Sequence, residues 1–317
     1  MRSINQKLLP LLIAVMLAGG VVVIAYSNPW DIIRSDTPPV DLASAAYNKA
    51  KSCKSCHPSG GTNDGGGSSS ITGTPKRYIP GNVYPIVVRV AQPGLSRWGY
   101  QLTATDKSGN GMGAFNNQDN NSQIQVDSGR EFVSHQIGGT HQGVVGGPVS
   151  WTVDWIAPSA GAGTAYFWMS ATACDNDLTE FGDFNYNFAR ASTEAGTAAP
   201  GASIMTQPDF PISGINQLSR SGGETLVTEM RVTNHKLISE NYVVVTRVVL
   251  PGGSMYPSAG YLSVDPLPLA TGVTGTVRFS EIIPPTAPLG IYEFQATVGI
   301  APSTFVDMFT FEFEVIP

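Results

Sequence analysis

The sequence predicts an all-β protein in which two β-sandwich domains follow an N-terminal transmembrane helix and a short cysteine-containing segment. The chain has 317 residues, enough for two domains. It contains 35 Gly and 23 Pro, too many helix breakers for a helical bundle. Short β-branched segments bounded by Gly and Pro recur along the chain, as expected for several short strands joined by turns.

The first 27 residues predict a membrane anchor. Arg2 and Lys7 precede a nearly unbroken apolar run from Leu8 to Tyr26, and this order is typical of export signals. A cleavable apolar core usually has about 7–15 residues, whereas a spanning helix needs about 20. The run therefore favours an uncleaved single-pass helix with its basic end in the cytoplasm. A cleaved signal peptide and a buried core helix are the alternatives.

Residues 28–73 are expected to form a spacer that carries two of the three cysteines, Cys53 and Cys56. Three prolines, Pro29, Pro38 and Pro39, prevent a continued helix. Residues 60–70 are rich in Gly and Ser and contain no apolar side chain, which predicts a flexible connection to the globular part.

The rest of the chain divides into a first sandwich over residues 74–189, a linker over 190–211 and a second sandwich over 212–317. Strands of the first are predicted at Val83–Val90, Trp98–Thr105, Trp151–Ile156 and Thr164–Ala171. The linker is a stretch of small residues without periodicity. In the second, apolar and polar residues alternate along 292–298 and 309–315, as in strands with one buried face.

Charge and motifs exclude several function classes. The net charge is −6 and no basic block is present, which argues against nucleic-acid binding. The sequence holds no Gly-x-Ser-x-Gly, no His-Glu-x-x-His and no phosphate-binding glycine loop. We therefore expect a protein that is not an enzyme.

The motif Cys53-Lys54-Ser55-Cys56-His57 carries the most specific chemical signal. Cys-x-x-Cys-His is the pattern for covalent attachment of haem c. Two thiols at this spacing can each form a thioether with one vinyl group of the same porphyrin, and the next residue, His57, then becomes the proximal iron ligand. The sequence predicts one covalent haem c, attached outside the cytoplasm. A redox-active thiol pair, a zinc site lacking its further ligands, and free thiols are the alternatives.

The sequence offers several candidates for the sixth iron ligand and does not decide between them. Imidazole and thioether groups are the usual haem ligands, and the candidates are His141, His135, His235 and Met112. His141 and His135 share a Gly-rich region before the Trp151 strand, whereas His235 belongs to the second domain. The third cysteine, Cys174, is interpreted as a small buried hydrophobic residue.

Several short strings of the first domain resemble the reelin-type (Reeler) domain, and more closely its bacterial relatives, the choice-of-anchor V proteins. These strings are Tyr78-Ile79-Pro80-Gly81-Asn82-Val83-Tyr84, Arg97-Trp98-Gly99-Tyr100-Gln101-Leu102-Thr103-Ala104, Thr140-His141, Trp155-Ile156-Ala157-Pro158 and Gly182-Asp183. In those bacterial relatives a Cys-x-x-Cys-His motif and a glycine-rich stretch often precede the sandwich. The resemblance spans about Ser52 to Asp183.

The resemblance implies an immunoglobulin-like sandwich on an exported protein of the bacterial inner membrane, with most of the chain in the periplasm. The family's Thr-His pair maps onto Thr140-His141, which implies His141 as the distal ligand. Cys174 departs from the small apolar residue expected in its strand. The C-terminal unit, with Ala287-Pro288-Leu289-Gly290-Ile291-Tyr292, resembles bacterial immunoglobulin-like modules, which implies no activity.

Two functions follow as expectations. The first is a membrane-anchored, periplasm-facing monohaem cytochrome that relays single electrons to a redox partner protein or to subunits of a membrane complex. The second is a non-catalytic scaffold subunit of a membrane respiratory or photosynthetic complex, built from the two sandwiches. If the signal is cleaved instead, the protein is periplasmic or secreted.

Overall fold

The computed structural model describes residues 16–17, 20–21, 38–48, 51–117, 120–196, 201–209 and 217–317. Nearly all regular structure in these residues is β, which confirms the predicted all-β class. Most of the anchor predicted over 1–27 lies outside the described residues. Within the described part of the chain, no helix has the length and apolar character needed to cross a bilayer.

The strands are, in chain order, β1 (Met16–Leu17), β2 (Gly20–Val21), β3 (Ser68–Thr72), β4 (Arg77–Tyr78), β5 (Val83–Ala91), β6 (Arg97–Thr105), β7 (Ala114–Asn117), β8 (Ser122–Asp127), β9 (Arg130–His135), β10 (Val149–Ile156), β11 (Ala165–Cys174), β12 (Phe184–Glu194), β13 (Ala202–Asp209), β14 (Gln217–Ser219), β15 (Thr225–Asn234), β16 (Glu240–Val249), β17 (Met255–Tyr256), β18 (Ser263–Leu269), β19 (Thr274–Ile282), β20 (Gly290–Ile300) and β21 (Thr304–Ile316). In the part of the chain that the structure describes, 3₁₀ turns occupy Ala46–Asn48, Cys53–Ser55 and Ile137–Gly139.

The first sandwich consists of a four-stranded sheet, β3-β5-β10-β7, and a six-stranded sheet, β4-β12-β11-β6-β9-β8. All its strand pairs are antiparallel except β4 with β12. The side chains between the two sheets include Trp98, Trp151 and Trp155, each almost fully buried. The sandwich begins at β3, ahead of the boundary expected at residue 74.

The second sandwich consists of the sheet β13-β15-β19 and the sheet β14-β21-β20-β16, in which β17 and β18 both pair with β16. The inward residues are those predicted by alternation along β20 and β21: Tyr292, Phe294, Ala296, Val298, Phe309, Phe311, Phe313 and Val315 are all buried. Strand β13 lies within the expected linker over residues 190–211. It belongs to the second sandwich, since it pairs along its whole length with β15.

The central strands β6 and β11 of the six-stranded sheet are buried on both faces. The outer face of this sheet carries polar side chains, among them Gln101, Ser170 and Asn185, and all three are inaccessible to solvent. Residues 38–48 and 51–57 cover part of this face. The Gln101 amide donates to Pro39 O (2.9 Å) and accepts from Leu42 N (2.5 Å). The backbone of the covering segment therefore satisfies polar groups that would otherwise be buried without partners.

The glycine-rich stretch expected to be a flexible connection also packs closely against the sandwich. A Cβ atom at Gly65 would lie 2.4 Å from the Tyr186 hydroxyl, and one at Gly67 would lie 2.1 Å from Ala91 O. Neither position has room for a side chain. Gly67 thus allows two backbones to approach closely, and Gly65 allows the backbone to pack against the Tyr186 side chain.

The two sandwiches share one hydrophobic cluster. Phe309 of β21 packs edge-on against Tyr166 and Trp168 of β11, with ring centroids 5.8 Å apart in both pairs. Beside these rings Lys107 forms an ion pair with Asp307 at 2.5 Å. This apolar contact fixes how the two sandwiches are placed relative to each other.

We predict that Phe309→Ala lowers the free energy of unfolding by about 3–5 kcal/mol, because it empties a buried aromatic site between the sandwiches. Urea unfolding followed by tryptophan fluorescence measures this change. Phe305→Ala on the same strand is the matched control, since Phe305 is 64% exposed whereas Phe309 is 3% exposed. The control should cost less than about 1 kcal/mol. Equal effects of the two variants would contradict the shared cluster.

Candidate functional site

The five residues of the Cys-x-x-Cys-His motif form a single helical turn. Cys56 N and His57 N both donate to Cys53 O, at 3.0 and 2.9 Å. Ser52 precedes the turn and Ser55 closes it, with Ser55 N donating to Ser52 O (2.9 Å) and Ser52 N donating to Ser55 Oγ (3.3 Å). The turn brings both thiols and the imidazole into one short stretch of structure.

This turn lies on the outer face of the six-stranded sheet, against β11 and β12. Cys53 N donates to Ser170 Oγ at 3.0 Å, and the Asn185 amide donates to His57 O at 2.6 Å. Thr62 then continues beside Asn185 in a parallel bridge. The sandwich therefore holds the motif at both ends.

The His57 imidazole is oriented by a buried carboxylate. His57 Nδ1 lies 2.6 Å from Asp183 Oδ2, and the Asp183 side chain has no exposed surface, whereas that of His57 is 31% exposed. The other Asp183 oxygen accepts a hydrogen bond from Asp175 N at 3.3 Å. Because Nδ1 is engaged, Nε2 is the ring nitrogen that is left to bind a ligand.

Cys174 belongs to the same site. It is the last residue of β11, and its Sγ, a ring nitrogen of His57 and a carboxylate oxygen of Asp183 all lie within 4.8 Å of one another. Its thiol also contacts Thr172 Oγ1 at 3.6 Å. The interpretation of Cys174 as a small hydrophobic residue missed this role, because nothing in its local sequence indicates which segment packs beside it.

Burial suppresses ionisation of two of the three thiols. Desolvation raises the pKa of Cys53 to about 11, and the neighbouring Cys56 adds to the increase, while the Ser170 hydroxyl opposes it. Desolvation also raises the pKa of Cys174 well above its usual value, and the negative charge of Asp183 contributes in the same direction. Both thiols are therefore protonated at neutral pH in the folded chain.

His141 lies at the same end of the first sandwich as the motif. Its loop is tied to the β11 end through Ser96, which donates to Cys174 O (3.0 Å) and accepts from Gly143 N (2.7 Å). The His141 ring packs edge-on against Trp151 at 5.1 Å. Its Nε2 is buried and has no hydrogen-bond partner among the residues that the structure describes.

The other candidate ligands lie elsewhere. His135 is buried at the end of β9, where its Nδ1 accepts a hydrogen bond from Tyr100 N at 3.0 Å, and β6 separates it from β11. Met112 lies in the core and donates its N–H to Ala104 O. Ala104 is seven residues along β6 from Arg97, the partner of Cys174, which corresponds to about 23 Å of extended chain. His235 pairs with Ser203 in the second sandwich.

Exposed apolar side chains border the motif. Leu178 and Phe181 are 70% and 62% exposed in the loop that leads to Asp183. That loop contacts the motif segment directly, since Gly182 N donates to Ser59 Oγ at 2.8 Å. The surroundings of His57 thus combine a buried carboxylate with an apolar rim.

The second sandwich also contacts the motif segment. Asp209, the last residue of β13, pairs with Lys54 at 3.1 Å and accepts from Thr62 Oγ1 at 2.8 Å. One carboxylate thereby holds the chain on both sides of His57. The motif lies between the two sandwiches rather than on a separate tether.

Comparisons with known proteins give distant likenesses. No protein-family model matches the chain, and no curated protein sequence matches it. The human F-spondin reeler domain is similar at 23% identity, over 42% of this chain and 91% of that domain, with a TM-score of 0.29. A β-glucosidase from Listeria innocua in complex with isofagomine is similar at 17% identity, over 36% of this chain and 16% of the enzyme, with a TM-score of 0.26.

We predict that Cys53 and Cys174 react slowly with iodoacetamide in the folded, reduced chain at pH 8. A pKa near 11 leaves Cys53 about 100-fold less thiolate than an ordinary thiol of pKa about 9. Mass spectrometry of peptides after timed alkylation measures the rates, and the same chain in urea supplies the control. Equal rates for Cys53 in the folded and unfolded chain would contradict its burial.

Proposed function

We propose that the chain is a membrane-anchored, periplasm-facing c-type cytochrome that carries one covalent haem on Cys53 and Cys56, with His57 as the proximal ligand. In this proposal it relays single electrons to a redox partner protein or within a membrane complex. The haem iron, when bound, supplies one-electron redox chemistry. The residues around the motif bind and orient the group.

One observation carries the proposal: within a single turn that holds both cysteines, His57 Nδ1 is fixed by Asp183 at 2.6 Å. Metal-binding histidines commonly donate their second ring N–H to a carboxylate or a carbonyl, which fixes the tautomer and raises the basicity of the ligating nitrogen. The Asp183 carboxylate fits this role, because it is buried and held by Asp175 N.

The burial of Cys53 has a consequence for the order of events. A protonated thiol packed against Ser170 is a poor nucleophile, and thioether formation requires the thiol to reach a vinyl group. Attachment would therefore precede the packing of residues 51–57 onto the sheet. Export in an unfolded state is compatible with that order.

His141 is the best placed candidate for the distal ligand. It shares the motif's end of the sandwich and has a buried Nε2 without a partner among the described residues, whereas Met112 lies toward the far end of β6 and His135 uses Nδ1 within the sheet. A second imidazole would give a lower reduction potential than a methionine ligand.

The exposed Leu178 and Phe181 support a docking role for this end of the molecule. Two exposed apolar side chains beside an electron-transfer group suit the small, transient contacts of redox partners. The same two side chains could cover part of an apolar macrocycle. Either use would explain why large apolar groups face solvent here.

We predict that full-length chain produced with haem c maturation machinery carries one covalent haem, and that the double variant Cys53→Ala/Cys56→Ala carries none. Haem stain on a denaturing gel, the reduced absorption spectrum and intact mass measure this. Cys174→Ser is the matched control and should retain the haem, because it is not part of the attachment motif. Wild type without haem would refute the proposal and favour the scaffold function.

We predict that His141→Ala changes the haem spectrum of the loaded protein, because removal of a distal imidazole opens the iron to added ligands. Carbon monoxide binding to the reduced protein is the readout. His135→Ala serves as the comparison and should not expose the iron. Equal carbon monoxide binding by wild type and His141→Ala would exclude His141 as a ligand.

A further inference from the structure

The haem proposal leaves one feature of the site unexplained, which is the third thiol. Attachment and proximal ligation use Cys53, Cys56 and His57, but Cys174 also lies within 4.8 Å of the His57 and Asp183 ligand atoms. One thiol, one imidazole and one carboxylate therefore converge at the end of β11.

We propose that the haem-free chain binds one thiophilic divalent cation, such as Zn²⁺, through Cys174, His57 and Asp183, with water in the fourth position. Thiolate, imidazole and carboxylate are the three donor types that Zn²⁺ takes from proteins. This inference does not depend on the haem proposal. The two groups compete, because both require His57.

The spacing of the donors suits a tetrahedral ion. Bonds of about 2.0 Å to nitrogen or oxygen and about 2.3 Å to sulfur place ligand atoms roughly 3.5 Å apart. The three donor atoms already lie within 4.8 Å of one another and come from three separately anchored segments. Only small side-chain movements would be needed to close them around a cation.

The electrostatics of the pocket also favour a cation. Asp183 is a fully buried carboxylate, and Cys174 lies next to it. Two acidic groups facing each other in a desolvated site repel when both are ionised, unless a positive charge lies between them. A divalent ion would compensate Asp183 and allow Cys174 to bind as thiolate.

A buried oxygen without a partner lies beside the proposed ligands. Asn185 is 1% exposed, and its amide nitrogen donates to His57 O. Its Oδ1 has no hydrogen-bond partner among the described residues. Buried amide oxygens normally accept a hydrogen bond, so this atom is available to accept one from a ligand or from water bound to a cation.

The sequence around the motif shows no further zinc ligands. The fold brings two of them, Cys174 and Asp183, next to His57. Cys174 comes from the end of β11 and Asp183 from the residue before β12. The β11–β12 pairing places these two ends side by side, since Ala173 pairs with Phe184. The hairpin thus presents a thiol and a carboxylate to the imidazole of the motif turn.

The test uses full-length chain produced without haem maturation, kept reduced under nitrogen and titrated with Co²⁺. We expect one Co²⁺ per chain, with a thiolate-to-cobalt charge-transfer band, and displacement by Zn²⁺. Cys174→Ser and His57→Gln should each weaken Co²⁺ binding by at least about 10-fold. Removal of a metal ligand costs more affinity than removal of a residue that only supports a ligand. The His57 side chain is partly exposed, so His57→Gln should still fold if Cys174→Ser does not.

Asp177→Asn is the matched control, since Asp177 lies in the same loop but bonds only to Thr179 and Asp175 in the described structure. It should leave the Co²⁺ affinity unchanged. A wild-type chain that binds no Co²⁺, or equal affinity in wild type, Cys174→Ser and His57→Gln, would overturn the metal site. Retention of haem by Cys174→Ser keeps this outcome distinct from failure of the haem proposal.

Discussion

The polar outer face of the six-stranded sheet governs how the neighbouring parts of the chain are placed. Burying a face that carries Gln101, Ser170 and Asn185 costs free energy for every polar group left without a partner. Residues 38–48 and 51–63 supply partners from their backbone, as in the bonds of Gln101 to Pro39 O and of Ser170 to Cys53 N, and leave Asn185 Oδ1 without one in the described structure. The polar face and the segment that covers it therefore stabilise each other through these hydrogen bonds.

The same constraint couples the two sandwiches to the motif. Trp168 lies on the outer face and packs against Phe309 of the second sandwich, while Asp209 reaches back to Lys54 and Thr62. The Trp168–Phe309 contact contributes free energy to the packing of the two sandwiches. The Asp209 carboxylate fixes the position of the covering segment through its bonds to Lys54 and Thr62. Changes at the motif would thus be transmitted to the placement of the second unit.

Both proposed occupants of the site use the His57 imidazole beside the buried Asp183 carboxylate: with haem, Asp183 would hold Nδ1, and with the cation it would be a ligand itself. The haem proposal relies on the attachment motif, whereas the cation proposal relies on Cys174 and Asp183, which the hairpin of β11 and β12 brings together. Their shared ligand, His57, makes them alternative states of one site. The burial that keeps Cys53 protonated would require haem attachment to precede the packing of the motif onto the sheet.

The sequence alone determined the all-β class, the alternating buried residues of β20 and β21, and the motif with its three chemical residues, because these follow from local periodicity and spacing. Only the tertiary structure decided that the glycine-rich segment packs at Gly67 and that Asp183 holds His57 across 126 residues. Such contacts arise from strand pairing between distant segments. Pairing is set by the sum of many weak contacts over the whole sheet, which no short stretch of sequence encodes.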